Sequence, residues 1–564
     1  MADFRKLFLV LIAGALLFTT VASAQPYACN ANAVPTLGRS EGIAEPTGDV
    51  LLVCSGTIPG GGILANIRYR LTQNITSDIE SYPITEALLI LDEGADAWRG
   101  PGGTYTSNQQ NIYQAVRISD DEIEWTGVWL AAVGSNAFQT IRLTNIRGNA
   151  QAAGDFGTLF ATVNIVSPTS VPVNNAVLRV MDTRPGLTFS VTPNSYKNCV
   201  VPGSSEYITL RFAEGFAAAF RPQGVAGSGS NAIPGGGYLN ESGFRPASMT
   251  DGILAGTPGQ ANQGTRLMAR FKNVPSGVGL SVPNEIILGG MVVRLVLTPN
   301  ADGSGGTLSA GGGGYESVPS SGLVVYEVYA IDAISYATQE TVNVPTRVSY
   351  SIPGPIGTAT VNGNFAPIST VYTMNATAPE PRFIDKATDM TAFTISRCRT
   401  ILLFPYVTNQ AGFDTGIAIA NTTADPLGTV AQAGACQINY YGNTNGSTAP
   451  AVQTSPEVGA GSHLAFMLSG GGGVFAKNGG FTACASGACV APLFQGYIIA
   501  ICDFQFAHGF SYVSDVQNDP SGRTLGAMGY LALIIPDRGV GTGTRLPQDN
   551  SLGNAANHGE QLGN

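Results

Sequence analysis

FQGYIIAICDFQFAHGFSYV, residues 494–513, alternates apolar with polar or small side chains over most of its length. Its even positions are Ile498, Ala500, Cys502, Phe504, Phe506, His508, Phe510 and Tyr512, while the odd positions from Asp503 to Ser511 are polar or small. A period of two predicts one long β-strand with a face in a core, bent or bulged at Gly509. Shorter pieces upstream follow the same grammar. ILLFPYVTN and TGIAIANTT predict an opening hairpin, and ACQINYYG places Cys436, Ile438 and Tyr440 on one face. SHLAFMLSG and MGYLALIIPD complete a C-terminal β-sandwich over residues 398–537. The tail at 538–564 is rich in Gly and Asn with no apolar period, which predicts disorder.

The chain has 564 residues, too many for one core. Arg5 and Lys6, the apolar run Leu7–Val21 and the small residues Ala22-Ser23-Ala24 read as a secretory signal peptide over residues 1–24. No later apolar run approaches the ~20 residues of a membrane span. The expected location is therefore outside the exporting membrane, secreted or on the cell surface, with no membrane insertion after cleavage. Residues 25–168 read as a first β-sandwich, with Asp49–Cys54, Ile63–Leu71, Glu122–Leu130 and Gln139–Ile146 among its strands. In IEWTGVWL, Trp125, Gly127 and Trp129 fall on one face, which is read as core. Residues 169–380 form a second sandwich with long Gly-rich loops, in which Ala213–Phe220 is the one helical turn, and 381–397 is a linker. The predicted class is all-β: two to three tandem Ig-like β-sandwich domains held by disulfides.

Charged residues make up 12% of the chain, and the mature part has 26 basic against 37 acidic residues. A net negative, weakly charged surface excludes nucleic acid as a partner. Eight cysteines in an exported chain favour disulfides over metal or redox chemistry. The expected pairs are Cys29 with Cys54, Cys436 with Cys502, Cys484 with Cys489, and Cys199 with Cys398, the last tying the second domain to the third.

The stretches LLFPYVTNQAGFDTGIAIANTTADPLGT (402–429) and FQGYIIAICDFQFAHGF (494–510) resemble a C-terminal module of uncharacterised secreted β-rich proteins of environmental bacteria. EGIAEPTGDVLLVCSG (41–56) and QTIRLTNIRGNA (139–150) are similar to openings and strands in the same group. The resemblance implies a bacterial, secreted β-sandwich protein; the group has no assigned activity.

No catalytic motif stands out. A Cys502/His508 dyad would need two residues on one strand about 20 Å apart to meet. Gly-x-Ser-x-Gly is missing, and Asn300-Ala301-Asp302-Gly303-Ser304 opens like a calcium loop whose final Glu is replaced by Gly311. No catalytic residue, metal or cofactor is assigned. The leading reading is a non-enzymatic structural or adhesion protein of the cell surface or extracellular matrix, self-associating through uncharged strand edges into an oligomer or filament. A second is a carbohydrate-binding protein that takes a surface polysaccharide on Trp98, Tyr105 and Tyr113. A third is a polysaccharide-degrading enzyme using carboxylates among Asp92, Glu93, Asp96, Asp120, Asp121, Glu122 and Glu124.

Overall fold

The computed structural model describes residues 26–58, 61–92, 111–131, 134–203, 205–224, 238–244, 255–332, 337–470, 491–515, 526–535 and 561–562. Those residues form an all-β protein in which the 3-10 turn Gln151–Ala153 is the one helical element described in full.

In the first unit twelve strands join in one sheet. Its path begins Val173–Asn174, Ala28–Ala33, Val50–Gly56, and ends Thr158–Val166, Val177–Arg184, Thr36–Arg39. Val173–Asn174 and Val177–Arg184 are consecutive in the chain, so the sheet curls until its ends meet. Alternating residues then fill the enclosed core, among them Ile67, Tyr69, Ile123, Trp125, Leu143 and Val163. The expected boundary at 169 is therefore too early. Val177–Arg184 completes this sheet, and the second unit starts at Leu187.

A β-bulge overturns one facing assignment. Ala65 pairs with Val128 but Ile67 pairs with Trp125, so Thr126 and Gly127 together oppose Asn66. Gly127 takes φ +66°, and its N–H donates to Asn66 Oδ1 at 3.1 Å. The extra residue shifts the period. Trp125 is fully buried, Val128 and Leu130 follow it inward, and Trp129 turns to the other face, half-buried.

The second unit packs a five-stranded sheet on an eight-stranded one. Tyr207–Glu214 and Thr341–Ser349 lie in the first of these, Arg266–Lys272, Leu323–Ile331 and Gly357–Ala366 in the second. The segment Ala213–Phe220 is not helical: it ends the Tyr207–Glu214 strand and turns. Residues 381–397 are not a linker either. Arg382 and Phe383 are fully buried, and Met390–Ser396 pairs antiparallel with Gly357–Val361 and parallel with Asn194–Lys197. Prolines at 379 and 381 mark a tight, buried return of the chain rather than an exposed spacer.

The third unit faces a seven-stranded sheet with a four-stranded one. The stretch at 494–513 runs through both. Phe494–Cys502 lies in the larger sheet with its even positions inward; the chain turns over Asp503–Phe506, where Phe506 has φ +58°. Ala507–Asp515 then enters the smaller sheet with Ala507, Gly509, Ser511 and Val513 buried. Phe510 and Tyr512 consequently face outward, against expectation, because crossing between sheets reverses the inward parity. In the tail, Gln561–Leu562 pairs with Leu533–Ile534, so that piece is ordered, contrary to its composition.

Disulfides join Cys29 to Cys54, Cys436 to Cys502 and Cys199 to Cys398; Cys484 and Cys489 lie outside the described residues. The Cys199–Cys398 bond sits where Asn194–Lys197 ends beside Met390–Ser396, directly before the first strand of the third unit at Thr400. Trp125 is the largest fully buried side chain and donates its indole N–H to Ala87 O at 3.2 Å. Trp125→Ala is expected to cost about 3–5 kcal/mol, measured by denaturant unfolding, with the third unit's transition left in place.

Candidate functional site

The structure separates the residues singled out by sequence rather than gathering them. Trp98 and Tyr105 lie outside the described residues, as do Glu93 and Asp96. Tyr113 is 8% exposed, and its hydroxyl accepts the Trp129 N–H at 3.4 Å. It is a core residue, not a platform for a sugar ring. The carboxylates at 120–124 each meet an arginine: Asp120 with Arg117, Asp121 with Arg70, and both Glu122 and Glu124 with Arg68. The Ser119 hydroxyl and Arg70 hold the Asp121 carboxyl below its ordinary range, which suits a cross-strand ion pair and not a proton donor. Asp92 accepts the Thr140 N–H at 2.8 Å. Cys502 is consumed by its disulfide, while His508 stands on the outer face of the smaller third-unit sheet. Asp302 closes a turn by accepting from Ser304 N and Oγ, and Arg266 Nη1 reaches Gly303 O and Gly305 O at 2.8 and 2.7 Å. Among the described residues there is no group of three metal-ligating side chains.

A different cluster dominates the interior. Where the first two units meet, four arginines (Arg39, Arg147, Arg221 and Arg382) are buried with Glu45, Glu86, Glu241 and Glu380. Arg39 leaves the edge strand Thr36–Arg39 of the first unit and enters the second. It donates through Nε to Glu45 at 2.8 Å and through Nη1 and Nη2 to the two Glu241 oxygens at 2.7 and 3.0 Å. Nη1 also reaches Ala219 O at 3.0 Å and Thr265 Oγ1 at 2.9 Å, and the guanidinium lies 4.7 Å from the centre of the Phe383 ring. Burial works against this charge, but Glu241 and Glu45 outweigh it and hold the Arg39 pKa above its usual value.

Arg147, also from the first unit, donates to Glu86 at 3.0 Å and to Glu241 O at 2.8 Å, and pairs with Glu380 at 2.8 Å. Arg382 reaches back from the second unit to Thr76 O at 3.0 Å. A third link closes the rim: Asp49 takes Arg142 Nε at 2.6 Å and the Tyr238 hydroxyl at 2.8 Å, and Arg142 stacks over Phe244. Burying that many charges is tolerable only because almost every one faces a partner in a fixed position. The cluster is a joint.

The third unit shows the reverse distribution. On the outer face of its four-stranded sheet, register aligns His463, Ala420 and His508 in one row, Ala465, Ala418, Phe510 and Leu531 in the next, and Met467, Gly416, Tyr512 and Gly529 in a third. No Asp, Glu, Lys or Arg stands in those rows; Asp414, at the strand's start, is buried under Ser469 and Asn409. On the larger sheet's outer face, Gln437, Asn439, Tyr441 and Asn443 oppose Ile501, Ile499, Tyr497 and Gln495, again without charge. Tyr441 and Tyr497 stack at 4.9 Å between ring centres, 13° apart in plane. Phe510, Tyr512 and Leu531 remain 43%, 45% and 53% exposed. Sequence reasoning missed these faces because it placed the aromatic row inside.

A cleft of about 320 Å³ opens at one end of the second sandwich, lined by Val282, Leu295, Leu323, Val324 and Val318 with Glu316 at its margin. One carboxylate on an apolar wall does not make an acid–base pair.

No protein-family model matches the chain, and no curated protein matches it. Among solved structures, a serine-rich repeat adhesion glycoprotein of Streptococcus agalactiae is similar over 66% of this chain and 100% of its own, at 10% identity and TM-score 0.18. A membrane-anchored protein of Corynebacterium diphtheriae covers 86% of each chain at 10% identity and TM-score 0.17. A pilus backbone protein of Streptococcus pneumoniae covers 90% of this chain and 94% of its own at 9% identity and TM-score 0.16. Superpositions at this level do not establish a shared overall fold.

Two outcomes test the joint. Arg39→Ala strands Glu45 and Glu241 without their partner and is expected to destabilise the first two units together by about 3–5 kcal/mol, seen as a shared shift of their unfolding transition. Burial raises the Glu80 carboxyl to about 7, with Glu86 and Asp78 adding to it, and raises Glu214 to about 7 against the N–H groups of Glu340 and Phe220. The folded chain therefore binds more protons at these two sites than the unfolded chain between pH 4.5 and 7. Their effect favours folding at the acid end of that window and is lost as pH rises through it. The melting-temperature deficit of wild type relative to the Glu80→Gln, Glu214→Gln variant is expected to be larger at pH 8 than at pH 5, by thermal scans of both.

Proposed function

We propose that the chain is an exported, non-enzymatic structural or adhesion protein of the cell surface or extracellular matrix. The observation that carries this reading is the run of uncharged outward rows on both sheets of the third unit, bounded on the larger sheet by the Arg399–Asp503 pair and set beside two units joined by buried ion pairs. In a chain with a formal net charge of −10, copies repel one another over most of their surface. Contiguous uncharged sheet faces with exposed aromatics are the places where another surface can seat. The ionic joint holds the first two units together, and the Cys199–Cys398 bond anchors the chain to the second unit just before the third begins. The reading predicts that the purified chain either forms concentration-dependent assemblies in analytical ultracentrifugation or co-sediments with surface polymer of the producing cell. It is overturned if the chain does neither.

A specific observation favours a carbohydrate as the polymer. Tyr441 and Tyr497 form an exposed aromatic pair flanked by the exposed amides Gln437, Asn443 and Gln495, a combination that offers ring faces and hydrogen bonds to sugar hydroxyls without charge. This moves the proposed sugar contact from the first unit to the third. Binding on a glycan array is expected to fall by about tenfold or more in Tyr441→Ala, with Trp129→Ala unchanged as the control.

A further inference from the structure

The strand Ala527–Leu531 forms one margin of the four-stranded sheet and, among the described residues, pairs only with Ala507–Asp515. Two hydrogen bonds fix the phase of that pairing: Asp515 N–H donates to Gly526 O at 3.0 Å, and Ala532 N–H to Gly509 O at 2.8 Å. By antiparallel alternation, the backbone groups of Met528 and Tyr530 are used inside the sheet. Those of Ala527, Gly529 and Leu531 point off its edge. Every residue of the strand except Tyr530 is exposed, and none is charged. Edge strands are usually protected by a lysine, a proline, a bulge or a covering segment; this one has no lysine, no proline and no register shift.

We infer that this edge is the self-association site, and that its occupant is the same strand of a second copy, paired antiparallel about a two-fold axis through Gly529. The inference rests on the assembly reading above and names its contact. Three features favour a like copy over another partner. First, the outward residues are symmetric about Gly529, so a two-fold pairs Gly529 with Gly529 and Ala527 with Leu531 in both directions, and every outward N–H finds a carbonyl. Second, the centre carries no side chain of its own. A Cβ at Gly529 would lie 2.7 Å from Phe510 Cζ, so the Phe510 ring already leans over Gly529, and two such rings meet across the axis. Third, copies of an acidic chain can approach where neither presents a charge, and this strand is such a place. The product is a continuous eight-stranded sheet whose exposed Phe510, Tyr512 and Leu531 close into one patch.

Ala527→Pro removes an N–H that the monomer does not use, at the first position of an edge strand where proline is tolerated. Leu531→Lys places a charge at the other end of the same edge. Sedimentation velocity of the full chain should show a monomer–dimer equilibrium, weakened by about tenfold or more in each variant, while far-UV circular dichroism and melting temperature stay at wild-type values. Met467→Lys, on the opposite margin of the sheet, should dimerise like wild type. A wild type that stays monomeric at its highest attainable concentration overturns the inference. So does association that both Ala527→Pro and Leu531→Lys leave unchanged. Polymer binding that persists in a monomeric chain would retain the adhesion reading while discarding this edge.

Discussion

The Arg39–Glu241 contact sets the geometry of two thirds of the chain. A guanidinium that is fully enclosed must have its hydrogen bonds met in their own directions, and Arg39 obtains them from both units at once. Glu241 belongs to the long connection between Tyr207–Glu214 and Arg266–Lys272, so that connection is drawn back against the first unit. Phe244 then joins Leu88, Ile90 and Ile112 in a small apolar cluster on the outside of the first sheet. From the opposite direction, Met374 enters the first unit's core from the second unit's chain. Two β-units that composition would allow to swing on a tether are held together.

Such a joint has a particular energetic character. Its ion pairs add less net stability than an equal volume of aliphatic side chains would, because each charge first gives up its hydration. What they supply is selectivity of arrangement. An apolar interface tolerates sliding, whereas a displaced Arg39 leaves two buried carboxylate oxygens, Glu45 Oε1 and Glu241 Oε2, without a donor. Glu380 shows the limit of the scheme. Burial holds its carboxyl well above the ordinary range even with Arg147 beside it, so the cluster does not neutralise every acid by pairing. For a protein that bears load or holds a partner at a set angle, resistance to sliding matters more than total stability.

Much of the fold was legible in the two-residue period, and what escaped it has definite physical causes. The period found Val50–Gly56, Gly62–Leu71, Cys436–Thr444 and most other strands because their cores demand alternation. It failed where alternation is interrupted by an inserted residue, at Thr126–Gly127, and where a chain changes sheets, at Asp503–Phe506. At both places the inward parity switches without any change in the kinds of residue present. It failed again at 381–397, since a buried arginine and a surface arginine are the same letter. The pairing of Cys199 with Cys398 was open to reasoning because only those two cysteines were left over once nearer partners had been matched. The charged joint was not, because nothing local in RSEGIAEP or LNESGF announces that Arg39 and Glu241 will meet.

The uneven placement of charge links the joint to the third unit. A chain with 12% charged residues has few to distribute, and this one places many of its arginines inside the first two units. Along the first unit's outer strands the remaining carboxylates face arginines across the sheet, as Glu122 and Glu124 face Arg68. The third unit is left with exposed amides, small and aliphatic residues and aromatic rings across the middle of both outer faces, with the Arg399–Asp503 pair at one end of the larger sheet. If solubility alone shaped those faces, lysine or glutamate would be the inexpensive choice at outward strand positions, where they disturb no packing. Their absence from the central outward rows of two sheets of different register makes sense when those rows and their edge are meant to be covered. The charges that the joint consumes inside the first two units are the kind that the third unit's outward rows do without.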